Sequence, residues 1–139
     1  MSYSISTDKH RLDAATIHDF LCNRSYWAKG RQLEAVQASI ENSVCFGAYD
    51  SGGNTVGFGR VITDKTTFAY ISDVFVLEEH RGNGIGQLII EHMMQHPELQ
   101  VEQWMLITAD AHSLYRRFGF KIPKSVAKYM SQQRGASDG

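Results

Sequence analysis

Between an apolar run at Tyr70–Leu77 and a run of helical periodicity from Gln87 to His96 lies the stretch Arg81-Gly82-Asn83-Gly84-Ile85-Gly86. A strand that enters a glycine-rich turn and leaves it as a helix points to a fold in which both kinds of element pack together. The same order makes an anion cradle. Small glycines let the backbone turn tightly and present its N–H groups, and the opening turn of the helix adds free donors and a positive dipole end. Arg81 places a permanent cation beside them.

The residues also say which phosphate ligands to set aside. No Lys-Ser or Lys-Thr follows the glycines, so the loop that grips a β/γ-phosphate and magnesium is absent. The spacing is G-x-G-x-G, without the third glycine of the dinucleotide fingerprint, and it comes well after the first strand. Taken alone, such a loop is also what an ordinary strand-to-helix turn looks like. A second segment lies downstream, Ala111-His112-Ser113-Leu114-Tyr115-Arg116-Arg117-Phe118-Gly119-Phe120. The first motif resembles the R/Q-x-x-G-x-G/A pyrophosphate loop of the GNAT acetyltransferase superfamily, carried here by Arg81, Gly84 and Gly86. The second resembles the A-x-x-L-Y-x-x-x-G-F segment that closes the active site in that family. The resemblance spans at least Val44 to Phe120.

Periodicity fills in the plan around these motifs. Ser2–Thr7 reads as an opening strand. Asp13 is placed to cap a helix carrying Ile17, Phe20 and Leu21, and a second helix carries Leu33, Val36 and Ile40. Val44–Tyr49 and Thr55–Thr63, joined by Asp50-Ser51-Gly52-Gly53-Asn54, predict a β-hairpin, with Thr66–Leu77 beside it. Ile85, Leu88, Ile89 and Met93 form the inward stripe of the next helix, which Pro97 limits. Trp104–Ala109 reads as a strand covered on both faces, Asp110 as the cap of a last helix, and Gly119 as its stop. The order β-α-α-β-β-β-α-β-α is an α/β plan with a mixed central sheet flanked by helices, in agreement with the GNAT-like fold the resemblance implies. One domain over residues 1–133 and a polar, disordered tail over 134–139 are expected.

The 139 residues, 42% of them hydrophobic, suit a single soluble domain. A net charge of −1 gives no electrostatic footprint for nucleic acid or an anionic membrane. No apolar run reaches membrane-spanning length, and Met1–His10 lacks the build of a signal peptide, so a cytoplasmic protein is expected. Cys22 and Cys45 show no C-x-x-C spacing and read as buried reduced thiols. His92 and His96, one helical turn apart, lack an acidic third ligand, and no metal is expected.

The resemblance implies a chemistry for particular residues. Acetyl-CoA would be the cosubstrate, held by Arg81, Gly82, Asn83, Gly84, Ile85, Gly86 and Gln87 at its pyrophosphate and by the backbone of Val74, Phe75 and Val76 along its pantetheine arm. An N–H near Val76 would stabilise the oxyanion formed on the thioester carbonyl. Thr108 stands where many members carry an asparagine that contacts the arm, and its hydroxyl can still donate and accept. Tyr115 aligns with the general acid for the departing thiolate. A phenol near pKa ~10 donating to a thiolate near ~8.5 works uphill by about 2 kcal/mol, so the site must lower that pKa or use Tyr115 as a hydrogen-bond donor. His112, beside it, is either a tuning group or a surface histidine. Asp73, on the strand before the acetyl site, is the preferred general base; an ion-paired strand-end carboxylate is the competing reading, and a water chain is the other route for the proton. Tyr26, Trp27, Lys29 and Arg31 lie in the connection between the first two helices, which lines the acceptor side in the family. Aromatics with cations suit a planar or carboxylate-bearing amine, and equally a packed corner with a charged rim. Arg60, flanked by Gly57 and Gly59, is a further acceptor candidate. The expected activity is transfer of an acetyl group to the primary amine of a small molecule by direct attack. A non-catalytic acyl-CoA-binding module, a longer acyl chain, a protein amine as acceptor and a homodimer stay open.

Overall fold

The computed structural model describes residues 2–134. Five strands form one sheet in chain order: β1 (Ser4–Ser6), β2 (Val44–Tyr49), β3 (Thr55–Thr63), β4 (Phe68–Val76) and β5 (Gln103–Met105). Strands β1 to β4 pair antiparallel, and β5 joins β4 in parallel. The hairpin of β2 and β3 has the bounds its sequence predicts. In its turn the Asp50 carboxylate accepts from the N–H groups of Gly52 and Asn54. Asp64 does the same for Thr66, Thr67 and Phe68 between β3 and β4. Both acceptors satisfy donors that a tight turn leaves without ladder partners.

Helix α1 (Ala14–Asp19) begins where Asp13 accepts from the N–H groups of Ala15 and Thr16, as its position predicts. It runs on into one π turn, Phe20–Arg24, which buries Phe20 and Leu21. Helix α2 (Leu33–Glu41) buries Val36. These helices pack on one face of the sheet, where Ile17, Phe20, Leu21, Ala28 and Val36 meet Cys45, Phe58 and Phe75. Helix α3 (Ile85–Gln95) packs on the other face. A side chain at Gly59 would run into Met93 and Ile89, and one at Gly57 would press on Ile85, so these glycines let α3 lie close to β3. The helix buries Ile90 where the sequence predicted Leu88; Leu88 is half-buried.

One irregularity decides the site. Phe58 pairs with Phe75, but Arg60 pairs with Ser72, so β4 carries an extra residue between those pairs. Asp73 lies in this bulge with φ 57, a left-handed conformation that Asp tolerates better than most side chains. A bulge resets the alternation of side chains across the sheet. Phe75 consequently reaches the core under α1 and stacks on Phe20 at a ring separation of 4.1 Å.

The chain forms two compact units, one through Thr108 and one from Ala109. In the second, α4 (His112–Arg116) follows Ala111, whose side chain makes no cap. Asp110 is therefore not the cap the sequence suggested, since the helix starts two residues later. The expected strand at Trp104–Ala109 is also shorter. It covers only Gln103–Met105, because β5 is an edge strand with three pairings to β4, and Ile107 beyond it is 76% exposed. Of the expected polar tail only Arg134 falls within the described residues.

Candidate active site

The parallel pairing of β4 with β5 ends at Tyr70 and Met105, whereas β4 continues to Val76. From Ile71 onward the edge of β4 that would face a neighbour has none in the sheet. Val74 and Val76 are half-buried there, while the Phe75 side chain belongs to the core. An open strand edge offers backbone donors and acceptors to any extended ligand laid along it.

The glycine loop begins where that edge ends. A short 3-10 turn, Glu78–His80, leads into Arg81, whose Nε donates to the Val76 carbonyl at 3.2 Å. Gly82 and Gly84 take φ 83 and 78, and a Cβ at either would meet nothing within 4 Å. The glycines are thus needed for backbone shape, not to avoid a protein neighbour. Asn83 Nδ2 donates to the His80 carbonyl at 2.9 Å and closes the turn. Gly84 is the N-cap of α3 and supplies no side-chain cap, so Ile85, Gly86 and Gln87 open the helix at the loop. Arg81, Gly82, Asn83 and Gly84 are all exposed. An uncapped, eleven-residue helix opening at two left-handed glycines with an arginine alongside fits a phosphate group.

On the α1 side of the same strand, Asp73 is enclosed and bonded at both oxygens. Oδ1 accepts from Trp27 Nε1 at 2.8 Å. Oδ2 accepts from Arg31 Nη1 and from Arg60 Nε, each at 2.7 Å. Burial pushes the carboxyl pKa up, but the Arg60 hydrogen bond, the Arg60 and Arg31 charges and the Trp27 donor outweigh it, and the net shift is downward. Asp73 is therefore corrected from general base to anchor, because a carboxylate held ionised by three donors is a poor proton acceptor. Arg60 is corrected in the same way. Its side chain is only 11% exposed, with Nε committed to Asp73 and Nη1 to Ser43 Oγ at 3.1 Å, so it cannot greet an acceptor directly.

The connection between α1 and α2 is built to deliver its residues to Asp73. Buried Ser25 donates to the Leu21 carbonyl and accepts from the Ala28 N–H. Gly30, at φ 82, donates to the Cys22 carbonyl, and His18 Nε2 bonds the Arg31 carbonyl at 3.1 Å. Tyr26 and Trp27 meet edge to face at 5.0 Å and stay 61% and 40% exposed. Lys29 is exposed and takes no part in the Asp73 cluster. Ser43 carried no sequence signal, since its role arises from the pairing of Cys45 with Arg60 across β2 and β3.

In the second unit Tyr115 is 7% exposed on α4. Gly119, at φ 89, donates to the Arg116 carbonyl, and Phe120 donates to the Tyr115 carbonyl. This pair of bonds is a Schellman ending, and Phe120 completes it by packing edge to face on Tyr115 at 5.8 Å. Half of the L-Y-x-x-x-G-F pattern is thereby explained: the glycine and phenylalanine end the helix and hold the tyrosine ring. His112 is exposed on the same helix, and Thr108 is half-buried at the end of the first unit.

Other candidates are placed away from this chemistry. Burial raises the Cys45 thiol to about 11, so it is not a thiolate at neutral pH, and Cys22 is half-buried in the π turn. His92 bonds the Leu88 carbonyl, while His96 accepts from the Glu98 N–H and packs on Phe46. A cavity of about 350 Å³ lined by Lys9, Ser43, Thr63 and Lys65 lies at the start of β2 and the end of β3, opposite the end of the sheet that carries the glycine loop. Its lysines are engaged, Lys9 by the Glu41 carbonyl and Lys65 by Glu98. No helix among the described residues is long and apolar enough to cross a membrane.

A mixed five-stranded sheet flanked by helices, with a strand that runs beyond its parallel neighbour into a glycine loop, defines an α/β fold with a candidate anion site. The profile of the acetyltransferase (GNAT) domain matches residues 41–122. A candidate acetyltransferase of Gibberella zeae is 32% identical over 86% of this chain and 79% of its own. The crystal structure of a candidate GNAT acetyltransferase from Xanthomonas campestris pv. campestris is 42% identical, with a TM-score of 0.92 over 96% of this chain and 94% of that one. A Mycobacterium tuberculosis protein solved in complex with CoA has a TM-score of 0.67 at 21% identity, over 85% of this chain and 71% of that one, a likeness of fold. The chain belongs to the GNAT acetyltransferase family.

Proposed function

We propose that the protein transfers an acetyl group from acetyl-CoA to the primary amine of a small molecule by direct attack. The observation that carries this reading is the continuity of the open β4 edge with the glycine loop, Ile71–Val76 leading into Arg81–Gly86. A pantetheine arm and its pyrophosphate need those two features in that order, and the CoA complex of the M. tuberculosis neighbour is in keeping with it. When bound, acetyl-CoA supplies the activated acyl group and a thiol leaving group. Backbone groups of Val74, Phe75 and Val76 orient the arm, and the Val76 region offers its N–H to developing negative charge. Arg81 and the opening turn of α3 neutralise the pyrophosphate. Tyr115, fixed by the Gly119-Phe120 ending, is the proton donor. The raised pKa of Cys45 supports direct attack over an acyl-cysteine route. With Asp73 committed to three donors, the amine proton leaves to water or is already absent in the free-base fraction. The homodimer and the cytoplasmic setting belong to the same proposal.

The test is release of CoA thiol from acetyl-CoA in the presence of an amine panel, with Tyr115→Phe beside the wild type. Amine-dependent release that drops at least ~100-fold in the variant, with acetyl-CoA affinity retained, supports the reading. Tight acetyl-CoA binding without turnover on any amine would instead make the protein an acyl-CoA-binding module.

A further inference from the structure

Arg31 and Arg60 share one carboxylate, so the cluster at Asp73 holds one positive charge more than it cancels. Among the described residues neither arginine has a second acidic partner. A surplus charge in a largely enclosed place is costly unless something neutralises it. The two arginines are not equally accessible. Arg60 is enclosed and tied to Ser43, whereas the Arg31 side chain is 26% exposed and gives Asp73 only Nη1. A guanidinium has five N–H donors in a planar fork suited to a carboxylate. Beside it stand the exposed rings of Trp27 and Tyr26, and the Trp27 N–H bonds the same Asp73. This patch adjoins the bulge directly before Val74–Val76, the part of β4 with the open edge.

We propose that Arg31, aimed by Asp73, receives the carboxylate of the acceptor, and that Trp27 and Tyr26 pack against its body. The substrate class is then an amine that carries a carboxylate on an apolar or planar frame, of the amino-acid kind. A carboxylate is favoured over a phosphate because the surplus is a single charge, which a monoanion cancels without leaving a new excess. As a statement about substrate this rests on the acetyl-transfer reading; as an anion site it stands apart from it.

The test has a binding arm and a transfer arm. Benzoate, benzamide and phenyl phosphate are titrated into wild type, Arg31→Gln and Arg31→Lys, read by tryptophan fluorescence and calorimetry. Arg31→Gln leaves Arg60 and Asp73 as a one-to-one pair, so the fold is retained; should it fail to fold, Arg31→Lys and the wild-type probe series decide. The expected result is benzoate bound more tightly than benzamide or phenyl phosphate, with ~10- to 100-fold loss in Arg31→Gln and partial retention in Arg31→Lys. In the transfer arm, L-phenylalanine and 4-aminobutyrate are compared with their carboxamides. The acids are preferred, and Arg31→Gln raises their KM while sparing kcat. Benzoate no tighter than benzamide, a preference for phenyl phosphate, or benzoate affinity unchanged in Arg31→Gln overturns the subsite. Transfer that shows no preference for the acids overturns it as the acceptor site. Absence of transfer to any amine, with the benzoate result as expected, overturns the acetyl-transfer reading and leaves the anion site standing.

Discussion

Three demands meet at Asp73: a left-handed backbone, a carboxylate inside the protein, and two guanidiniums to be neutralised, one enclosed and one partly exposed. Asp73→Asn keeps the tolerance for positive φ but removes the charge, leaving Arg31 and Arg60 facing each other. Denaturant unfolding should show a loss of about 3–5 kcal/mol. The lowered pKa fixes how this depends on pH. A depressed carboxyl stabilises the fold fully above its unfolded value of 3.8, and that contribution is lost as pH falls through the lower folded value. The stability gap between wild type and Asp73→Asn should therefore hold from neutral pH down to about 4 and close below it. For the same reason the rise of kcat/KM with pH should track the pKa of whichever amine is supplied; an unmoving limb common to all amines would point to a protein base after all. The sequence placed a carboxylate on the strand before the acetyl site, yet whether it was base or anchor depended on a bulge. The bulge shows only in the pairing of β4 with β3, where it lets Phe75 reach Phe20 while Asp73 meets Arg60.

Among the elements, the two left-handed glycines at helix termini, Gly119 after α4 and Gly84 before α3, are the most exposed to test. Gly119→Ala puts a Cβ into a left-handed cap and should cost about 1–2 kcal/mol of stability in the C-terminal unit. Because Phe120 then loses its seat on Tyr115, turnover should fall with acetyl-CoA affinity little changed, measurable by steady-state kinetics beside calorimetry. Gly84→Ala should do the opposite. No protein atom opposes its Cβ, but the φ of 78 is unfavourable for it and the anion cradle is distorted, so acetyl-CoA affinity should fall first. The apolar run at Trp104–Ala109 predicts a longer strand than β5. Apolarity alone did not distinguish a strand covered on both faces from a short edge strand that leaves Ile107 exposed. The β2–β3 hairpin was legible to the residue, since a polar, glycine-containing turn, Asp50–Asn54, separates two apolar runs that are buried almost throughout.

At the scale of the molecule, a chain of net charge −1 binds a multiply charged ligand only if its few cations are focused where the phosphates lie. Two separate concentrations of positive charge emerge, Arg81 with the start of α3 at one end of β4 and Arg31 with Arg60 at its bulge. The first was readable from six consecutive residues. The second was only half readable, because Tyr26, Trp27 and Arg31 stand together in sequence while Arg60 and Asp73 come to them through the sheet. Acetyl-CoA is the ligand proposed for the first of these sites. Thermal unfolding of wild type and Arg81→Glu, each with and without acetyl-CoA, tests it directly, since a ligand that binds only the folded state raises stability as RT ln(1 + [L]/Kd). The prediction is a concentration-dependent rise in Tm for the wild type, about 3 kcal/mol of added stability near 100 Kd, and little or none for Arg81→Glu. No shift in the wild type, or an equal shift in both proteins, would contradict the assignment of the glycine loop.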